Sequence, residues 1–160
     1  MNNTKKKRVL FVCSAGGHLA QILEMKPLFD EFDYLIITED ILATRPLEKT
    51  YNIKFVPPVG IGRNFKFWKV FFLNILISFK IIIKFMPHII ITTGSHTAVP
   101  FCYIGKLFGK KIVYILSFAR INSKAKSADI IYPIADKFIV QWEPAQKLYP
   151  KSIYLGGGLY

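Results

Sequence analysis

Val9, Leu10, Phe11, Val12 and Cys13 are apolar without alternation, and the run ends directly in Ser14-Ala15-Gly16-Gly17-His18. A strand wetted on one face alternates apolar and polar residues. One that does not alternate is covered on both faces, as in parallel sheets held between helices. Similar runs occur at residues 34–38, 53–56, 88–93, 111–116, 138–142 and 153–155. Helix-length stretches lie between them at residues 18–29, 65–86 and 97–108, and residues 117–128 are polar and read as irregular or helical. Short buried strands alternating with helices predict an α/β fold built on a Rossmann-like, doubly wound parallel sheet. The 160 residues suffice for one such domain, 1–160, and not for two.

Ligands of such sheets lie beyond the carboxyl ends of the strands. Here those ends carry residues 14–18, 92–96, 117–120 and 141–143. The first of them joins a strand to a helix N-terminus, where unpaired N–H groups and the helix dipole favour an anion. It has neither the G-x-G-x-x-G spacing nor the Lys-Ser/Thr of a P-loop, which argues against nucleotide binding by those devices. Thr92-Thr93-Gly94-Ser95-His96 repeats the arrangement of strand, glycine, hydroxyl and histidine. Two readings stay open: tight turns without a ligand, or one cleft rim. On the second, Ser14, Gly16, Gly17, Gly94, Ser95 and His96 are candidate binding residues, and Arg120 with the turn amides holds a diphosphate. His18 is the candidate general base or hydroxyl-orienting group, because imidazole titrates near neutral pH.

Lys and Arg total 22 against 10 acids, a net charge of +12, which favours an anionic partner. Nucleic acid is disfavoured, since the lysines mix with apolar residues and no recognition motif is present. Residues 1–7 read as a basic tail. The apolar run after them is shorter than the roughly 7–15 residues of a signal-peptide core, so no export is expected. Cys13 and Cys102 lack metal or redox spacing and read as buried free thiols of a cytosolic protein, with no metal site.

Residues 65–86 predict an amphipathic helix whose longest charge-free run, 70–79, is about half of the roughly 20 residues a membrane span needs. At about 100° per residue, Lys66, Lys69, Lys80 and Lys84 fall within about 60° of one another. Nearly all the remaining circumference is apolar, more than one packing contact covers. The excess predicts a second surface, an anionic bilayer boundary or a protein, met by Lys66, Trp68, Lys69, Phe71, Phe72, Lys80 and Lys84. The alternative is a central core helix with snorkelling lysines.

Five segments in order, Ser14-Ala15-Gly16-Gly17-His18-Leu19, Ile91-Thr92-Thr93-Gly94-Ser95-His96, Ser117-Phe118-Ala119-Arg120, Tyr132-Pro133-Ile134-Ala135-Asp136 and Val140-Gln141-Trp142, carry a resemblance. Over nearly the whole chain the pattern resembles the asparagine-linked glycosylation protein fourteen family and its bacterial relatives in capsule and exopolysaccharide synthesis. The resemblance implies the N-terminal, acceptor-side half of a GT-B glycosyltransferase, with the UDP-sugar held by a separate donor-binding subunit and no cofactor on this chain. The acceptor it implies is an undecaprenyl-diphosphate-linked sugar, and the added sugar is of galactose or N-acetylglucosamine type. It also implies a heterodimer, peripheral on the cytoplasmic face of the cell membrane. Eukaryotic members carry an N-terminal membrane anchor, which is not found here, so residues 65–86 are expected to take that role. Relatives commonly have Glu immediately before Ser-Phe-Ala-Arg, where this chain has Leu116. A role for that carboxylate does not carry over. The rival expectation is a non-catalytic scaffold that recruits and stabilises the donor subunit.

Overall fold

The computed structural model of the chain describes residues 6–60 and 65–159, apart from the Lys66 side chain. Its strands are β1 (Arg8–Cys13), β2 (Asp33–Glu39), β3 (Ile53–Val56), β4 (Ile89–Gly94), β5 (Lys111–Ile115), β6 (Lys137–Val140) and β7 (Ile153–Tyr154). They form one sheet in the order β3-β2-β1-β4-β5-β6-β7, every pairing parallel. The order reverses between β1 and β4, the switch point at which such sheets open a crevice. In the register of that pair Cys13 lies opposite Gly94, so the two glycine turns leave the sheet at the same height.

The unbroken apolar runs are explained by covering on both sides. Leu10, Val12, Ile90, Ile112 and Tyr114 point toward one face, which is packed by α2 (Phe65–Phe85), α3 (Ala98–Leu107) and α4 (Lys126–Ile131). Val9, Phe11 and Ile36 point to the other, where Leu19 and Ile22 of α1 (Gly17–Glu24) meet them. This second face is covered unevenly. α1 packs against β1 and β4, while Ile91, Val113 and Ile139 farther along the sheet stay half-buried.

Two helix expectations need correction. The helix expected over residues 18–29 ends at Glu24, and a 3-10 turn, Lys26–Phe29, follows. Pro27 accounts for the break, since it has no N–H to continue the ladder and fits only a first turn. The second concerns α2, which is not a central core helix. Its buried middle carries Asn74 and Ser78, whereas Phe72 is 63% and Leu76 49% exposed. Asn74 donates from Nδ2 to the Pro57 carbonyl at 3.1 Å, and Ser78 donates to the Ile75 carbonyl at 2.8 Å. These polar side chains thus face inward, although Asn74 Oδ1 has no hydrogen-bond partner among the described residues, and several large apolar side chains are left outside. Trp68, Lys69, Phe72, Lys80 and Lys84 are exposed as expected, but Phe71 is half-buried; the Lys66 side chain lies outside the described residues. Among the described residues no helix is long and apolar enough to cross a membrane.

At the opposite edge of the sheet, Asp136 ties α3 to β5. Its carboxylate accepts from Lys106 at 2.9 Å, Lys111 at 3.1 Å and the Ile112 N–H at 2.9 Å. Burial pushes this carboxyl up, but the Ile112 N–H and the two ammonium groups outweigh it and hold it well below the usual range. A depressed folded-state pKa contributes stability above the unfolded value, near 3.9, that is lost as pH falls through the folded one. Asp136→Asn is therefore expected to cost about 1–2 kcal/mol at neutral pH. The difference from wild type should shrink below about pH 4 in urea melts; a gap independent of pH would refute the ionic account.

Candidate functional site

The site forms where the turns after β1 and β4 meet. Thr93 donates from Oγ1 to the His18 carbonyl at 2.9 Å. The His18 ring lies against Gly94, whose α-carbon would place a methyl 3.3 Å from His18 Cε1. Glu39, at the carboxyl end of β2, binds both turns, accepting from Thr97 Oγ1 at 2.8 Å and from the Ala15 N–H at 3.4 Å. Three strand ends are thereby locked into one rim.

Gly94 and Ser95 both have positive φ, 111° and 106°. Glycine tolerates this; for serine it is a strained conformation of the kind that clusters at functional sites. Ser95 Oγ is buried and has no hydrogen-bond partner among the described residues. A buried hydroxyl left unbonded on strained backbone is what a site awaiting a polar ligand looks like.

The amides of this turn are already bonded, Gly94 N–H to Thr92 Oγ1 at 2.9 Å and Ser95 N–H to Ser127 Oγ at 3.2 Å. They are not free for a diphosphate, contrary to the expectation that both turns would offer them. The N-terminus of α1 differs. Gly16 at its cap, φ 78°, provides no side-chain bond, and its first turn holds no acidic residue. The anion-favouring end of the pair is therefore Gly16-Gly17-His18.

His18 has its pKa lowered by burial and, more weakly, by Arg120, while the Thr93 carbonyl and Glu39 work the other way. The balance favours the neutral imidazole. Its Nδ1 is shielded from solvent and has no hydrogen-bond partner among the described residues. Arg120 is exposed and close enough to act on His18 electrostatically, and it donates to Ser123 Oγ at 3.1 Å. Ser14 lies on the same rim, half-buried. His96 does not join this group. It is exposed and turned toward α2, its ring 6.0 Å from that of Phe67 and edge-on to it.

Beyond Arg120 the rim is held by paired glutamines. Gln141 donates from Nε2 to Gln21 Oε1 and to the Leu116 carbonyl, both at 2.8 Å. Gln21 Oε1 also accepts from the Phe118 N–H at 3.0 Å, and Gln141 Oε1 from the Leu159 N–H at 2.8 Å. This fixes the loop that carries Arg120. Leu116 itself is buried in the packed face with Tyr114 and Ala128, so leucine suits its surroundings. Sequence reasoning missed Glu39, Ser127 and the Gln21–Gln141 pair. Glu39 had a usable signal as an acid at the carboxyl end of a strand; Ser127 had none.

Cys13 and Cys102 are buried and free. Burial pushes the Cys13 thiol up to about 12 and that of Cys102 higher still, so neither is a nucleophile.

Comparison with known proteins bears on the fold and the family. In solved structures the same fold occurs in MurG of Acinetobacter baumannii (TM-score 0.71, 11% identity, 86% of this chain and 42% of that one). It occurs also in the UDP-GlcNAc 2-epimerase of Methanocaldococcus jannaschii (TM-score 0.72, 10% identity, 94% and 45%). The chain spans less than half the length of each, and the fold is that of the Rossmann-like N-terminal half of a GT-B protein. By sequence it is similar to the UDP-N-acetylglucosamine transferase subunit ALG14 of Mus musculus, 28% identical over 93% of this chain and 82% of that protein. The Homo sapiens protein of the same name is 28% identical over 92% and 81%. The Candida albicans one is 39% identical over 52% and 41%. The family described as "Oligosaccharide biosynthesis protein Alg14 like" matches residues 63–158, and the chain belongs to that family.

Proposed function

We propose that this chain is the acceptor-side subunit of a two-component, membrane-associated glycosyltransferase completed by a separate donor-binding subunit. The observation that carries the reading is the junction of His18, Gly94 and Ser95. The His18 imidazole and, on strained backbone, the Ser95 hydroxyl lie there without hydrogen-bond partners at Nδ1 and Oγ among the described residues, beside the uncapped N-terminus of α1. The relatives' printed names, transferase subunits, supply the reaction class. The half-buried strip Ile91, Val113 and Ile139 is a place for the donor subunit to pack.

On this reading the donor subunit holds a UDP-sugar of galactose or N-acetylglucosamine type. The acceptor is a sugar on undecaprenyl diphosphate, in capsular or exopolysaccharide synthesis at the cytoplasmic face of the membrane. The Gly16-Gly17 turn, Arg120 and the Ser95 hydroxyl face the diphosphate or its first sugar. His18 orients the acceptor hydroxyl or takes its proton. Transfer needs a base at that hydroxyl and stabilisation of the departing nucleotide; the first comes from this chain and the second from its partner. Co-expressed with the donor subunit, His18→Ala is expected to lower kcat by about 10²-fold or more. His18→Asn should recover part of that loss if orientation is the main role. Wild-type turnover in His18→Ala would leave His18 structural.

A second reading, a scaffold that only recruits and stabilises the donor subunit, is favoured by the internal bonding of the Gly94 and Ser95 amides. Substantial turnover by the donor subunit alone would establish it.

A further inference from the structure

We propose that the cleft between α2, α3 and α4 seats the phosphate-proximal units of a polyprenyl chain, the lipid tail of the acceptor. The proposal rests on the acceptor-side reading above and adds a second subsite to it. The cleft holds about 860 Å³, within the usual range of ligand pockets, and its walls are mainly Phe67, Trp68, Phe71, Val99 and Ile130. His96, the residue after Ser95, is also part of its lining. The apolar space thus begins one residue beyond the strained turn where the polar part of the acceptor would lie.

The cleft also continues outward. Trp68 lines it and is 53% exposed. Phe72, Leu76 and Ile83, also exposed, follow at helical spacing along α2. The series runs from polar turn to aromatic cleft to open apolar stripe, an order that matches a molecule with an anionic head and a long apolar tail. Charge agrees with that occupant. Lys126 lies in the cleft lining with Asp129, whose carboxylate accepts from the Tyr149 hydroxyl at 3.1 Å, and Lys69, Lys80 and Lys84 are exposed on α2 beside the stripe. The Asn74 bond to the Pro57 carbonyl fixes the connection that carries Val59 and Gly60, which complete the wall.

The test titrates the whole chain with farnesyl diphosphate, farnesol and inorganic diphosphate, by calorimetry and tryptophan fluorescence. Each methylene withdrawn from water is worth roughly a factor of four in affinity. Farnesyl diphosphate is therefore expected to bind at least about tenfold tighter than inorganic diphosphate. Ile130→Asp and Trp68→Ala should each remove most of that gain. Both should leave inorganic diphosphate binding and the melting temperature unchanged. Leu76→Ser, out on the stripe, should leave farnesyl diphosphate binding as in wild type.

The proposal is overturned if the farnesyl chain adds no affinity, or if Ile130→Asp binds farnesyl diphosphate as wild type does. In either case, retained inorganic diphosphate binding leaves the acceptor-side reading standing. Farnesol binding as tightly as its diphosphate would keep the cleft and remove the anion site instead. Loss of the heterodimer in Ile130→Asp, with farnesyl diphosphate binding intact, would assign the cleft to the partner and overturn the proposal.

Discussion

Gly94→Ala is expected to melt about 6–12 °C below wild type, the shift that roughly 3 kcal/mol produces in a chain of this size. Two effects combine. With φ at 111°, any side chain at this position is strained, by about 1–3 kcal/mol. The added methyl would also lie 2.6 Å from Tyr114 Oη. Tyr114 has no room to retreat, being 1% exposed and stacked on Phe138 at 4.8 Å. Its hydroxyl is bonded to Ser127 Oγ at 3.2 Å, and Ser127 Oγ in turn accepts the Ser95 N–H. Displacing Tyr114 therefore moves Ser127 and then Ser95, so the damage enters the site itself. Misplacing a binding group by about 1 Å costs about 10²-fold in rate, and transfer by the co-expressed pair should fall at least that far. Gly16→Ala is the control: φ is 78°, but nothing lies within 4 Å of the added methyl. Its cost should be about 1 kcal/mol, from the backbone alone. Equal melting temperatures for the two variants would disprove the steric chain through Tyr114.

The triple replacement of Phe72, Leu76 and Ile83 by serine should lower binding to anionic lipid vesicles by about a hundredfold. Full burial of such a side chain is worth roughly 1.5–3 kcal/mol, and these three have about half of that left to gain. About 3 kcal/mol in total corresponds to about two decades in affinity. Exposed positions contribute little to folding, so stability in urea should stay within about 0.5 kcal/mol of wild type. The lysines beside the stripe add about 1 kcal/mol each at an anionic surface, so the remaining binding should weaken with salt. Flotation with vesicles measures both. A triple variant that floats like wild type at every salt concentration would remove lipid as the partner of α2.

The strands were largely legible because burial on both faces leaves short unbroken apolar runs, which their length and flanking turn residues separate from helices. Ile53–Val56 is found at the expected residues, and the other strand ends coincide or differ by at most two. The meeting of the two glycine turns was legible for a topological reason, since parallel strands put all their carboxyl ends on one edge. Less was readable where a side chain's meaning depends on distant neighbours. Nothing about Ser95 as a serine announces a φ of 106°; the strain is imposed by Gly94, Ser127 and the start of α3. Glu39 is one of ten acids in the chain, and only the fold brings Ala15 and Thr97 to it. In α2, counting lysines around the helix revealed the surplus of apolar surface. It did not reveal that Asn74 and Ser78 turn inward.

The half-buried strip of Ile91, Val113 and Ile139 bears on how much of this protein a cell can keep. Whatever packs there binds the folded chain and not the unfolded one, so it adds stability in proportion to the logarithm of its own concentration. A copy without a partner opens more often, and each opening exposes it to proteolysis. Supply of the two proteins would then be balanced after synthesis: unpaired copies are removed, and the scarcer chain sets the level of both.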